Sequence, residues 1–261
     1  MRPKVAVFSV ATNVYFDYWL SLYLSANENL FPDAHVTYHV FTNVVPDQAT
    51  QKFLNENVVI HKIEDLRWPE ATLKRYEIIV NEMSDIDSDV LVYLDADMKI
   101  ECKIDLTSII DINKDAMVLV RHPGFWRPSI LKNKTFYFRH LRLLLDDLAL
   151  KIRIGGIGSW ELDKRSTAYV PRKNRRNYYC GGFWLGKKES VLDFSRTLYK
   201  NVKLDEKINF TAVWHDESHL NRWASENSFR EQDPSYCFAE NYENLERLPK
   251  KITAVNKSFS K

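Results

Sequence analysis

Seven residues, Leu91-Val92-Tyr93-Leu94-Asp95-Ala96-Asp97, constrain the fold of this chain more than any other stretch. Four apolar side chains in a row read as a strand buried on both faces, as strands inside parallel sheets are. Two carboxylates follow, separated by one small residue. Burying a carboxylate is costly unless it is paired or metal-bound, so this strand is expected to deliver its acids to the edge of a ligand crevice. On an extended backbone Asp95 and Asp97 share one side and Ala96 takes the other. Two hard oxygen ligands suit Mg²⁺ or Mn²⁺ when water and phosphate complete the coordination. The competing reading is a surface turn that uses Asp for its turn chemistry.

The surrounding pattern supports a sheet of that kind. Residues 4–10, His35 to Thr42 and Val58 to Ile63 read as strands. Residues 14–30 have Tyr, Phe, Trp and Leu at helical spacing. Residues 69–84 read as a helix, with Pro69 near its start and Leu73, Tyr76, Ile79, Val80 and Met83 on one face. This strand–helix alternation predicts an α/β fold with a mostly parallel, doubly wound sheet. Further along, Met117 to Val120 reads as a strand and His122-Pro123-Gly124-Phe125 as a turn. Residues 135–153 are leucine- and arginine-rich, and Gly155-Gly156-Ile157-Gly158 ends that stretch. Tyr178 to Leu185 reads as a strand interrupted by Gly181-Gly182, Glu189 to Lys203 as a helix, and Asp216 as the N-cap of another. With no repeat or linker, residues 1–261 are expected to form one domain.

Acidic and basic residues nearly balance, at a net charge of +2, which favours neither a nucleic-acid nor a membrane partner. Cys102, Cys180 and Cys237 lack zinc-like spacing, and an odd, low count fits a reducing compartment. No apolar stretch is long enough to span a membrane, and no signal-peptide pattern is present. A soluble, cytoplasmic protein is the expectation.

Two more segments concentrate chemistry. In Trp214-His215-Asp216-Glu217-Ser218-His219-Leu220-Asn221 a carboxylate at a helix start is favoured by the helix dipole. Glu217 could face positive charge developing at a sugar anomeric carbon. The alternative is an ordinary capped and solvated helix start. In Tyr178-Tyr179-Cys180-Gly181-Gly182-Phe183 the two glycines let a ligand or backbone approach closely, or mark a β-bulge.

Taken together, these segments resemble glycosyltransferase family 6, the family of the histo-blood group A and B transferases and the α-1,3-galactosyltransferases. The motif from Trp214 to Asn221 is the most specific match. His122-Pro123-Gly124-Phe125, Thr167-Ala168-Tyr169-Val170-Pro171, Tyr178 to Phe183 and Pro234-Ser235-Tyr236-Cys237 follow the family's order. Without an N-terminal anchor and stem, the chain looks like the short bacterial or viral members. The resemblance implies a GT-A fold and retaining α-1,3 transfer of galactose or N-acetylgalactosamine from a UDP-sugar to an oligosaccharide acceptor. It implies Glu217 as the catalytic carboxylate, which also touches the acceptor, and Asp95 and Asp97 as ligands of Mn²⁺ or another divalent cation. Donor contacts are implied for Phe8, Ser9, Val10, Tyr15, Arg75, Cys180, Gly181, Gly182, Asp216 and Lys257. Acceptor contacts are implied for His122, Tyr178 and Trp214.

Small residues at Cys180-Gly181-Gly182 leave space for an acetamido group, which favours UDP-GalNAc as donor. The segment from His122 to Phe125 is similar to the blood-group side of the family and hints at a Fucα1-2Gal acceptor. UDP-Gal as donor, and a non-catalytic sugar-binding protein, are the alternatives. Residues 130–158 look like a helical insertion, and residues 246–261 like a mobile basic tail.

Overall fold

The computed structural model describes residues 2–130 and 133–255. In chain order the first half runs β1 (Lys4–Val10), α1 (Tyr15–Asn29), β2 (His35–Thr42), α2 (Gln48–Phe53) and β3 (Val58–Lys62). Next come α3 (Glu70–Leu73), α4 (Arg75–Glu82), β4 (Val90–Leu94), β5 (Met98–Ile100) and α5 (Leu106–Ile109). The second half holds β6 (Met117–Arg121), α6 (Lys134–Arg139), α7 (Leu141–Ile154), β7 (Tyr179–Lys187) and α8 (Lys188–Lys207). It closes with α9 (His215–Ala224), β8 (Arg230–Gln232) and β9 (Ile252–Ala254).

Seven strands form one sheet in the order β3-β2-β1-β4-β7-β6-β8, and β5 pairs with β9 in a small second sheet. All pairings in the large sheet are parallel except those of β7, which runs antiparallel to both β4 and β6. This is the mixed, mostly parallel sheet flanked by helices that a GT-A fold requires. Part of the segment expected to be a mobile tail is built into the fold, because Ile252–Ala254 is a strand paired with β5.

Side-chain alternation builds the two layers. Val5 and Val7 of β1, Val90, Val92 and Leu94 of β4, and Phe183 and Leu185 of β7 face α1. There Phe16, Trp19 and Tyr23 stack in succession along the helix, with ring centroids 5.6 Å apart at each step. Ala6, Phe8, Leu91, Tyr93 and Trp184 face the opposite way, onto Tyr76 and Ile79 of α4 and Phe194 and Leu198 of α8. Burying each such large apolar side chain stabilises the fold by roughly 1.5–3 kcal/mol.

Three local expectations change. The single helix over 69–84 is two helices broken at Lys74, and the break presents Arg75 inward at the start of α4. The glycine pair does not interrupt β7; the ladder to β6 shifts register there, between Leu119 and Arg121 on β6. Asp216 is not an N-cap: Trp214 holds that position, and its backbone N–H donates to Ser218 Oγ at 3.0 Å. The Asp216 carboxylate is engaged elsewhere.

Candidate active site

The carboxyl ends of the parallel strands open into two adjoining clefts of about 430 and 370 Å³. Both are lined by Trp68, Thr72, Arg75 and Asp95, so they meet at that point. The smaller continues past Val10, Tyr15, Ala96 and Asp97. The larger continues past His122, Gly181, Gly182, Trp214, Asp216 and Glu217. Such a crevice at the carboxyl edge is where open α/β sheets bind ligands.

β4 brings its acids here by a different local geometry from the one expected. The backbone turns after Leu94, with the Met98 N–H donating to the Asp95 carbonyl at 3.3 Å. Asp95 and Asp97 line the same cleft, and so does Ala96. The Tyr93 hydroxyl donates to Asp95 Oδ1 at 2.5 Å. Among the described residues, no three His, Cys, Asp or Glu side chains gather into a complete metal cage. Asp95 and Asp97 put two carboxylates on one cleft wall, a donor set that would need ligands from outside the protein to complete a divalent cation's coordination.

Arg75 links the acids of the two clefts. Its guanidinium lies 3.1 Å from Asp216 Oδ2 and 3.3 Å from Asp95 Oδ1, and it donates to the Gly181 carbonyl at 3.2 Å. It also lies over the Tyr93 ring, 4.4 Å from the centroid. Burial alone would lower the pKa of this guanidinium, but Asp216, Tyr93 and Asp95 raise it above its ordinary value. It is a buried hub rather than a helix-surface residue, at 5% exposure.

α9 begins at the floor of the larger cleft. His215, its first residue, has φ +46° and packs edge-on to Trp68 at 4.6 Å. Left-handed backbone at a histidine is strained, and such strain collects at functional sites. Asp216 is buried, and burial pushes its pKa up to about 6 against the opposing pull of Arg75. Glu217 accepts a hydrogen bond from the Gly181 N–H at 2.9 Å. Burial raises its pKa to about 8; the Gly181 N–H opposes this and the neighbouring Asp216 adds to it. The Tyr178 hydroxyl is aimed at the same carboxyl and makes no close hydrogen bond. His122 Nε2 stands 4.0 Å from Glu217 Oε1, and burial lowers the His122 pKa to about 4.

The glycine pair has a steric reason of its own. A Cβ at Gly181 would stand 2.9 Å from Asp216 Oδ2, and one at Gly182 would stand 2.6 Å from Met98 Cε and 2.9 Å from Asp95 Oδ2. Glycine is therefore what allows two acidic side chains to pack against β7 from its two faces.

The other sequence-derived residues fall in several places. Val10 and Tyr15 line the smaller cleft; His122 and Trp214 line the larger. The Trp214 indole N–H donates to Ser159 Oγ. Phe8 packs in the core 5.4 Å from Tyr93 and 5.9 Å from Trp184, and neither cleft reaches its side chain. The Ser9 hydroxyl is buried and donates to the Leu94 carbonyl at 2.7 Å. Cys180 is buried beside Cys237, and all three cysteines are free. Tyr178 is buried beneath the larger cleft, edge-on to His122 and Phe125. Lys257 lies outside the described residues. Trp68, Thr72 and Tyr242 also line the larger cleft. Sequence reasoning missed them because none lies in a motif: Trp68 and Tyr242 come from connecting segments, and Thr72 from the short helix α3.

The fold and this cleft define a chain of the GT-A class. Residues 158–261 match the model of glycosyltransferase family 6, and the segment includes Gly181, Gly182, Trp214, Asp216 and Glu217. Histo-blood group ABO system transferase 1 of Rattus norvegicus is 28% identical over 229 residues, covering 84% of this chain and 55% of that protein. Transferase 2 of the same organism is 27% identical over 225 residues, covering 84% and 58%. Globoside alpha-1,3-N-acetylgalactosaminyltransferase 1 of Gallus gallus is 25% identical over 256 residues, covering 96% and 64%. The chain thus spans between about half and two thirds of the length of these relatives. The resemblance to glycosyltransferase family 6 read in the sequence is borne out by these matches. No helix among the described residues is long and apolar enough to cross a membrane.

Proposed function

We propose that this chain is a retaining hexosyltransferase that moves N-acetylgalactosamine from UDP-GalNAc to O3 of a galactoside, of Fucα1-2Gal type. The observation behind this reading is the ion-pair chain Asp95–Arg75–Asp216, with Glu217 beside it, where two adjoining clefts meet. The donor's uridine would occupy the cleft of Val10 and Tyr15, and its sugar would reach toward Gly181 and Glu217. Asp95 and Asp97 would hold Mn²⁺ or another divalent cation, which supplies positive charge against the leaving diphosphate.

Glu217 would stabilise an oxocarbenium-like sugar or attack it, and Asp216 would accept from a sugar hydroxyl. The aromatic face of Trp214 would hold the acceptor galactose. Buried as it is, Glu217 favours its protonated form near neutral pH. Approach of a cationic centre, or of the developing positive charge, restores the carboxylate.

The reading with UDP-Gal as donor has its own support, since packing against Asp95 and Met98 already accounts for glycine at 182. The test is UDP release from UDP-GalNAc and UDP-Gal, with Mn²⁺ or EDTA, with and without a Fucα1-2Gal acceptor. Acceptor-stimulated, metal-dependent release that favours UDP-GalNAc is the expected result. Preference for UDP-Gal selects the other donor. Binding of the glycan with no release from either donor would leave a sugar-binding protein.

A further inference from the structure

α7 is inside out. Its 14 residues include six leucines and two isoleucines, yet its one fully buried side chain is Asp147. That aspartate accepts two hydrogen bonds from Arg127, both at 2.7 Å, which pins this face of the helix to the protein. At the far end Gly155 caps the helix at φ +87°, and the Arg172 and Arg175 side chains donate to the carbonyls of the last turn. The helix is thus held in one rotational setting about its axis. In that setting Leu141, Leu145, Leu148 and Ile152 point outward, exposed by 59%, 59%, 54% and 68%, and Phe138 at the end of α6 is 90% exposed. By contrast α8 buries Val191, Leu192, Phe194, Leu198 and Val202 against the sheet.

The charges around this stripe are ordered. At about 100° per residue, Leu141, Leu145, Leu148 and Ile152 fall within one narrow sector of the helix. Arg142 and Arg153 flank that sector on one side and Lys151 on the other. Asp146 is the one exposed acid of the helix. An apolar stripe bordered by cations on both sides is the pattern of a helix lying in the plane of a membrane surface. We infer that α7, with the end of α6, docks this protein on the surface of an anionic lipid bilayer. The apolar stripe enters the acyl boundary, and Arg142, Lys151 and Arg153 meet the lipid phosphates. Charge complementarity selects this occupant over a second copy of the chain, because pairing two such stripes would bring basic flanks against basic flanks. The docking stands independently of the transferase reading.

The test is co-sedimentation of the full chain with vesicles of phosphatidylcholine alone and with equimolar phosphatidylcholine and phosphatidylglycerol. Binding at least about tenfold tighter to the anionic vesicles, weakening with added salt, is expected. Leu145→Glu with Ile152→Glu should cut that binding about tenfold or more while thermal unfolding and UDP release to a soluble acceptor stay unchanged. Arg142→Glu with Arg153→Glu should remove the preference for the anionic vesicles. Three results overturn the inference: no binding to either vesicle, binding that the substitutions leave intact, or a lipid-free dimer that Leu145→Glu with Ile152→Glu dissociates. The last would make the stripe a contact between copies.

Discussion

Two pairs of carboxylates face each other across Arg75, and their surroundings differ. Asp95 and Asp97 sit on a turn at the cleft wall, both partly exposed, with Tyr93 donating to Asp95. Asp216 and Glu217 sit on the first turn of α9, where burial pushes their pKa values up to about 6 and about 8. Water-accessible carboxylates can gather a divalent cation from solution. Partly desolvated carboxylates hold back their charge until something cationic arrives, when it acts at short range and low dielectric. Under the proposed function the same residue type would thus serve two tasks set by its environment, and Arg75, paired with Asp95 and Asp216, ties the two pairs together.

The largest expected effect comes from removing the desolvated charge. Glu217→Gln keeps the shape and the acceptor for the Gly181 N–H, so UDP affinity should stay within about twofold while kcat falls on the order of 10³-fold. Steady-state turnover together with calorimetric UDP titration checks this, and wild-type turnover by the variant would break the contrast. Arg75→Gln should be nearly as severe, but for the fold. Leaving Asp216 buried without its cation costs about 3 kcal/mol, read as a lower midpoint in urea.

A smaller effect is expected at the exposed pair. Asp97→Asn should weaken Mn²⁺-dependent UDP binding roughly tenfold and leave UDP binding in EDTA unchanged. Loss of binding in both conditions would mean that Asp97 supports the cleft rather than a cation.

The smallest effect sharpens the comparison through pH. The Glu217 pKa is raised in the folded protein, so the fold holds a proton there that the unfolded chain releases near pH 4.5. The stability contributed by the protonated form is full below that value and is lost as pH rises toward about 8. Wild type should therefore lose melting temperature against Glu217→Gln across that window, and parallel melting curves would contradict the buried setting. In the same window kcat/KM should rise with pH, because the carboxylate is the form that acts on the sugar.

The sequence made the parallel strands legible because each is a short apolar run bounded by polar residues. Val90–Leu94 could hardly be anything else. It also drew attention to both acidic pairs, since charge directly after an apolar run is a local signal. What it could not convey was how the pairs meet. Arg75 reads as one more cation on an amphipathic helix, and only the break at Lys74 turns it inward to Asp95 and Asp216. Asp216 reads as a cap because helix starts favour Asp, yet a long-range ion pair to α4 outweighed that local preference. The glycine pair reads as room for a ligand, and nothing local to it shows that Asp95 and Asp216 also crowd the space a side chain would need. In each case local preference yielded to a contact made over a long span of sequence.

The central claim is that both acidic pairs serve one donor molecule. A crystal structure with UDP and Mn²⁺ tests it most directly, with the cation located by its anomalous signal. The account predicts a Mn²⁺ peak touching both Asp95 and Asp97, uracil in the cleft of Val10 and Tyr15, and the diphosphate leading toward Gly181 and Glu217. A cation bound away from that pair, or UDP lying outside both clefts, would contradict it.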